Sequence, residues 1–244
     1  MVELDGARAL VTGASAGIGE ATAHGLAAHG ADVALLARRE ERLEEIASTL
    51  ESQYDVEAVA RPTNVRDDAI VEEAVDQTVE EFGGLDVVGS NAGLARGSDV
   101  TDLTTEEYRT MMETNVDGTF FLTRSVVPHL EESGGNLVFV GSFAGEYPRP
   151  FNPVYAATKW WVRGFAHSVE ASAGPNGVGV TVVNPTEVRT EFGSVYGESF
   201  EERFDEGEVL EPEEVAEAVV FAAGRTNGTV HEVDVYRRDK FEGW

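Results

Sequence analysis

Ala7-Arg8-Ala9-Leu10-Val11-Thr12 runs directly into Gly13-Ala14-Ser15-Ala16-Gly17-Ile18-Gly19, and the reading of this passage decides the fold. The first half is a short apolar run of the kind that forms a buried strand. The second is a turn whose glycines at 13, 17 and 19 permit a tight bend and let the backbone approach a pyrophosphate. An amphipathic segment over about 17–29 follows, so the turn opens a helix. Free N–H groups and the helix dipole favour an anion there. A glycine-rich turn alone is a weak signal; the strand–turn–helix context is what makes it a dinucleotide site.

The same alternation continues to the end of the chain. An apolar run at 33–37 precedes helical spacing over 40–53, with Leu43, Ile46 and Leu50 on one face. Then come a strand near 56–61, a helix 67–82, a strand 85–90, a helix 104–132, a strand 136–141, a helix 153–173 and a strand 178–183. An irregular stretch follows, then a helix 212–223 opened by Pro212 and a last strand near 229–235. Short apolar strands alternating with helices predict βαβ units: a doubly wound parallel sheet of about seven strands, with helices on both faces. No Pro/Gly/Ser linker, fixed-period repeat or low-complexity tract interrupts this pattern, which predicts one domain over 1–244.

Composition narrows the function classes. There are 45 acidic residues against 18 basic ones, a net charge of −27. Nucleic acid and anionic membrane both need a basic footprint, so neither is an expected partner. With no cysteine, a disulfide framework or thiolate metal site is impossible. No charged-then-apolar leader and no membrane-length apolar run is seen, which predicts a cytoplasmic protein. The acids are dispersed over helix faces, as in Glu40-Glu41, Glu44-Glu45, Glu72-Glu73 and Glu213-Glu214. Acid excess with scarce lysine and a normal core resembles proteins of salt-accumulating halophiles, where screening relieves self-repulsion.

Two further clusters carry chemistry. At the end of the second strand, dinucleotide folds discriminate the ribose, and an acid there favours NAD. This chain has Arg38 and Arg39 instead, which favours NADP. The second cluster is Tyr155-Ala156-Ala157-Thr158-Lys159. Only two of the 18 basic residues are lysines, Lys159 and Lys240, so Lys159 is not general surface decoration. On a helix, residues four apart share a face, and an ammonium beside a phenol favours the phenolate. A lowered tyrosine pKa is the expectation.

With the glycine turn, Arg38 and the Tyr155/Lys159 pair in place, the chain resembles a short-chain dehydrogenase/reductase along essentially its whole length. Asn91-Ala92-Gly93 matches that family's Asn-Ala-Gly motif, although Ser90 stands where another Asn is common. Asn115 matches its helix asparagine, Ser142 lies thirteen residues before Tyr155, and Pro185 through Thr190 resembles the loop over the nicotinamide. Segments around Gly141-Ser142, Val154-Tyr155 and Trp161-Val162-Arg163 resemble its NADP-dependent serine/3-hydroxy-acid dehydrogenase branch.

The resemblance implies a Rossmann-type fold and an NADP(H)-dependent oxidoreductase acting on the carbonyl or secondary alcohol of a small substrate, with a 3-hydroxy acid as one candidate. It implies Asn115, Ser142, Tyr155 and Lys159 as the catalytic set. Ser142 would polarise the carbonyl, Tyr155 would exchange the proton, Lys159 would lower the tyrosine pKa and hold the ribose, and Asn115 would help hold a proton-relaying water. The cofactor would contact Gly13, Ser15, Gly17, Ile18, Gly19, Arg38, Arg39, Asn64, Val65, Asn91, Ala92, Gly93, Pro185, Val188 and Thr190, besides Tyr155 and Lys159. Two departures stand out: Thr186 replaces a usual glycine after Pro185, and Asn64 stands where an adenine-contacting Asp is usual.

The substrate is less legible. A lid is expected over about 186–210, where Phe192, Tyr196, Phe200 and Phe204 have helical spacing. Phe143, Tyr147 and Phe151 are candidates for the pocket wall, and Arg96, Arg149 or Arg189 for a substrate carboxylate. The five histidines are scattered in sequence, and no metal site is expected. Trp160 and Trp161 suggest core or subunit interface, and the resemblance implies a homodimer or homotetramer pairing 104–132 and 153–173. The other readings are a non-catalytic NADP(H) sensor and a 3-oxoacyl-acyl-carrier-protein reductase. The latter would need a basic docking patch.

Overall fold

In the computed structural model, which describes residues 4–96, 99–193 and 198–242, the expected alternation is present. The strands are β1 (Arg8–Thr12), β2 (Asp32–Ala37), β3 (Ala58–Pro62), β4 (Val87–Ser90), β5 (Asn136–Val140), β6 (Gly179–Pro185) and β7 (Glu232–Val235). They form one sheet in the order β3-β2-β1-β4-β5-β6-β7, and each neighbouring pair is parallel. The helices are α1 (Gly17–Ala27), α2 (Glu40–Tyr54), α3 (Asp68–Phe82), α4 (Thr105–Met112), α5 (Gly118–Ser133), α6 (Pro153–Ala173), α7 (Phe200–Arg203) and α8 (Pro212–Ala223). Strand order reverses between β1 and β4, and such a switch point opens a crevice at the carboxyl ends of the strands.

The period-two alternation of β-structure divides the core between the faces of the sheet. On β1, Leu10 packs with Val71 of α3, Leu122 of α5 and Val162 of α6. Its neighbour Val11 points the other way, to Leu26 of α1 and Leu43 of α2. On β5, Phe139 joins the first group, while Val138 and Val140 meet Val215 and Val219 of α8. Each central strand is buried on both faces, which is why these strands read as continuous apolar runs.

The β1–β4 pair is fastened at both ends. At the amino end, the Arg8 guanidinium donates to both Asp86 oxygens at 2.6 and 2.7 Å. At the carboxyl end, Thr12 Oγ1 accepts the backbone N–H groups of Asn91 and Ala92 at 3.0 and 3.1 Å. The Asn91 amide donates in turn to the Thr12 carbonyl at 3.0 Å.

Two expected elements are redrawn. The helix expected over 104–132 is α4 and α5 joined by a π-helical turn, Glu113–Asp117. The aromatic spacing of the lid does not make one helix. Among the described residues of that stretch only α7 is α-helical, and Tyr196 lies outside them. The Phe200 and Glu201 N–H groups instead bond back to the Phe192 and Thr190 carbonyls at 2.9 and 3.1 Å, folding the segment on itself.

The solvent faces of the helices carry the acid. Glu40, Glu41, Glu44 and Glu45 of α2, Glu72 and Glu73 of α3, and Glu213 and Glu214 of α8 are all exposed. Their repulsion opposes the compact state, and its range contracts from about 30 Å at 0.01 M salt to about 3 Å at 1 M. The melting temperature is therefore expected to rise steeply from dilute buffer to molar KCl. A profile that is flat, or highest in dilute buffer, contradicts this account.

Candidate active site

The glycine turn closes on the protein's own atoms. Gly13 sits at φ +68°, and a Cβ there would lie 2.8 Å from Asn91 Nδ2. A Cβ on Gly19 would lie 2.6 Å from the same nitrogen and 2.3 Å from the Gly13 carbonyl. α1 then begins without a side-chain cap, because its N-cap is Ala16. Its first N–H groups face a cavity of about 270 Å³ lined by Gly13, Gly17, Ile18, Asn91, Ala92 and Gly93 on one side. Ser142, Tyr155, Lys159, Pro185, Val188 and Thr190 line the other. An adjoining cavity of about 340 Å³ continues past Ser15, Arg38, Arg39, Asn64 and Val65. An uncapped helix start with little side-chain bulk in front of it fits a pyrophosphate.

The paired arginines part company. Arg39 turns back over the glycine turn, donating to Ser15 Oγ and carbonyl at 3.1 and 3.0 Å and to Glu191 at 2.8 Å. Arg38 is exposed and, among the described residues, has neither hydrogen bond nor ion pair. Asn64 uses its Oδ1 on the Arg66 N–H at 3.3 Å, which shapes the turn after β3. Val65 packs against the start of α5: a Cβ on Gly118 would meet its Cγ2 at 2.9 Å.

The remaining groups are placed by the start of α6. Asn152 caps it, its Oδ1 accepting from the Tyr155 N–H at 3.4 Å, and Pro153 supplies a preset first turn. Thr158 Oγ1 donates to the Tyr155 carbonyl at 2.7 Å. The Asn115 amide, in the π-helical turn, donates to that Thr158 oxygen at 3.0 Å and to the Leu94 carbonyl at 2.8 Å. Its Oδ1 accepts the Leu94 N–H at 2.9 Å. The π-helical turn thus aims a buried asparagine between the β4 loop and the helix that carries Tyr155 and Lys159.

Lys159 is buried, and its ammonium donates to the Val140 carbonyl at 2.9 Å. Burial lowers its pKa to about 8. Burial pushes the Tyr155 phenol above its ordinary value, against a hydrogen bond with Ser142 and the charge of Arg149. The expected lowering of the tyrosine pKa by Lys159 is therefore corrected. The ammonium stands 6.0 Å from the phenol ring centroid and gives one of its three donors to Val140. The charge that opposes the rise is that of Arg149. Phe192 walls the other side of Tyr155, with ring centroids 5.8 Å apart.

Several expectations about the surroundings change. Thr186, in place of the usual glycine, is held by the C-terminal tail. Its Oγ1 accepts the Arg237 N–H at 3.0 Å, and its own N–H reaches the Val235 carbonyl at 3.1 Å, stitching the loop to the C-terminal tail. Phe143, Tyr147 and Phe151 do not line the cavity. Phe143 is buried and stacks on Tyr147 at 4.3 Å, with Tyr236 and Phe241 of the tail around it. Lys240, which its position in the tail left without a role, is buried and donates to both Glu187 oxygens at 2.7 and 2.9 Å. His167 and His231, distant in sequence, meet in space with Glu232, their candidate ligand atoms within 4.8 Å of one another. Their rings are stacked at 4.3 Å, so the two ring planes do not converge on one ion, and Glu232 is held by Arg163 at 2.6 and 2.8 Å.

Comparison with known proteins agrees with this geometry. The sequence profile of the family described as short chain dehydrogenase matches residues 7–199. An uncharacterized oxidoreductase of Staphylococcus epidermidis is 35% identical over 215 residues, 88% of this chain and 89% of that one. An alcohol dehydrogenase from the archaeon Thermococcus sibiricus, complexed with 5-hydroxy-NADP, superposes with a TM-score of 0.87 at 31% identity, covering 94% of this chain and 96% of that one. A 3-ketoacyl-(acyl-carrier-protein) reductase from Brucella melitensis, complexed with NADH, gives 0.86 at 28% identity over 96% and 98% of the two chains. With the family profile matched over residues 7–199 and a relative 35% identical over 88% of the chain, this chain belongs to the short-chain dehydrogenase family.

Proposed function

We propose that the protein is an NADP(H)-dependent oxidoreductase that interconverts a carbonyl and a secondary alcohol on a small substrate. The observation that carries this reading is the convergence of Ser142, Tyr155 and Lys159 on the cavity that the uncapped start of α1 also borders. The N–H groups of α1 would hold the pyrophosphate, and Lys159, already aimed into the site, the nicotinamide-side ribose. The nicotinamide, when bound, supplies or accepts the hydride. Ser142 orients the substrate oxygen by hydrogen bonding, and Tyr155 gives or takes the proton at that oxygen. A phenol whose pKa stays high holds its proton firmly at neutral pH, as a donor in the reducing direction requires. Asn115 keeps α6 in register with the β4 loop.

The preference for NADP(H) rests on Arg38, an uncommitted guanidinium at the end of β2 in a chain otherwise rich in acid. The alternative of an acyl-carrier-protein substrate is disfavoured by the net charge of −27, which repels an acidic carrier. Partly exposed aromatic side chains on α5 and α6, Phe120 at 40% and Trp160 at 50%, support the homo-oligomeric reading. A cytoplasmic location and a salt-adapted origin belong to the same proposal.

Tyr155→Phe is expected to keep NADPH affinity and lose at least about a hundredfold in kcat, because only the proton-transfer group is removed. Retention of more than a tenth of wild-type turnover sinks the assignment. Arg38→Ala should weaken NADPH far more than NADH in fluorescence titration, by on the order of tenfold or more for a lost charge-assisted contact. Equal weakening of both cofactors moves the phosphate contact away from Arg38.

Lys159 gives a test by pH. Its pKa is about 8 in the folded chain against an ordinary 10.5. Folding therefore carries a penalty of roughly 3 kcal/mol below pH 8, which fades as pH rises toward 10.5, where the unfolded chain also loses the proton. The stability of the wild type relative to Lys159→Met should accordingly improve across that window in denaturant titrations. A constant difference from pH 7 to 10.5 means that the ammonium is not desolvated.

A further inference from the structure

The cavity past the glycine turn carries a charge unlike that of the chain as a whole. Arg38, Arg39, Arg66 and Arg96 line it, four of the 18 basic residues in a protein of net charge −27. Among the described residues its one acidic lining group is Glu191, in the loop after β6. Arg66 is tied to Glu113, and Arg96 donates to the Ala95 carbonyl at 2.8 Å. Arg39 is held at three points: Ser15 Oγ at 3.1 Å, the Ser15 carbonyl at 3.0 Å and Glu191 at 2.8 Å. The single acid of an arginine-lined cavity is thus spent on one of its arginines.

Glu191 is aimed at Arg39 by its two neighbours in the chain. Thr190, before it, presses on the glycine turn: a Cβ on Gly17 would meet the Thr190 Cγ2 at 2.8 Å. Phe192, after it, packs on the rings of Tyr155 and Phe200 at 5.8 and 5.6 Å. The Phe192 N–H also donates to Thr190 Oγ1 at 3.2 Å. With both neighbours pinned, the carboxylate between them reaches Arg39, 152 residues away in sequence. Glu191 and Arg39 border the cavity of Ser142 and Tyr155 as well as the arginine-lined one, so their pair stands where the two meet. Both side chains are about half exposed, at 47% and 43%, and an ion pair so exposed is weak. It joins one carboxylate oxygen to one guanidinium nitrogen. A phosphate monoester carries more charge and can accept two parallel N–H bonds from the same guanidinium, so it outcompetes this carboxylate.

We propose that Glu191 is a specificity-determining residue for the cofactor, which holds Arg39 over the glycine turn until the 2′-phosphate of NADP(H) displaces it. The exchange is carboxylate for phosphate on one guanidinium. NAD(H) has only a hydroxyl at that position, cannot drive the exchange, and leaves the pair closed. Because the carboxylate competes with the phosphate, its removal tightens NADP(H) binding. Loss of a merely structural contact would do the opposite. The inference rests on the NADP(H) reading above and adds to it a residue outside the cofactor contacts that the resemblance implies.

The test is fluorescence titration of NADPH and NADH at one fixed molar salt concentration. Glu191→Gln should lower the Kd of NADPH roughly three- to fivefold, the upper range for an exposed ion pair, and leave that of NADH nearly unchanged. Arg39→Gln should raise the Kd of NADPH about tenfold, the scale of a lost hydrogen bond to a charged group. In that background Glu191→Gln should have no further effect, because the competition runs through Arg39. Adenosine 2′,5′-bisphosphate, which carries the phosphate without the nicotinamide, should show the same gain as NADPH when it displaces bound NADH. Glu45→Gln, which removes an equal charge from the exposed face of α2, should alter neither cofactor. An unchanged or weakened NADPH affinity in Glu191→Gln overturns the proposal and leaves the oxidoreductase reading standing. So does an equal gain for NADH, a gain that persists in Arg39→Gln, or one that Glu45→Gln reproduces. A wild type that binds no NADPH overturns the proposal together with the NADP(H) reading.

Discussion

The site depends first on one amide. Asn91, at the end of β4, holds the turn after β1 through the Thr12 carbonyl, while the Thr12 hydroxyl receives the two N–H groups that begin the β4 loop. That staple fills the space beside the turn, which is why side chains are excluded at Gly13 and Gly19: both would run into the Asn91 amide. The glycine motif and the Asn-Ala-Gly motif thus describe one contact seen from two strands. Removing either side would leave buried donors unmatched and loosen the crevice at the point where strand order reverses.

From that anchor the geometry passes to α6 through Leu94, Asn115 and Thr158. Every link is a buried or half-buried hydrogen bond with its partner satisfied, so Tyr155 and Lys159 are held by a polar network and not by packing alone. A desolvated ammonium is costly. The chain retains one at Lys159, whose one hydrogen bond among the described residues is to a backbone carbonyl.

Much of this was legible in the sequence. Strand and helix periodicity placed nearly every element, because both faces of the sheet are buried and the pattern is unambiguous. The cavity-lining residues were found through the glycine turn and the Ser142/Tyr155/Lys159 spacing. Misreadings arose where a long-range contact overrides local pattern. The π-helical turn in the expected helix 104–132 leaves no mark in apolar spacing, and the lid aromatics keep helical spacing while backbone contacts to Thr190 and Phe192 fold them differently. The effect of Lys159 on Tyr155 was read from helical adjacency, whereas burial and the Val140 carbonyl decide it. Lys240 was within reach. The scarcity of lysine that singled out Lys159 applied equally to Lys240, and both prove to be buried.

The charge distribution links surface to site. A net of −27 makes the long-range field around the molecule unfavourable to an anionic cofactor or substrate. Salt at molar strength confines that field to about 3 Å from each charge, whereas contacts inside a half-buried site are screened far less. Under those conditions the exposed glutamates cease to repel an approaching anion, and what it meets is local: the exposed Arg38 guanidinium on the wall of the cavity beyond the glycine turn. An acidic surface and an anion-recognising site are therefore compatible only when screening separates the two length scales. The few cations this chain keeps are placed where short range matters.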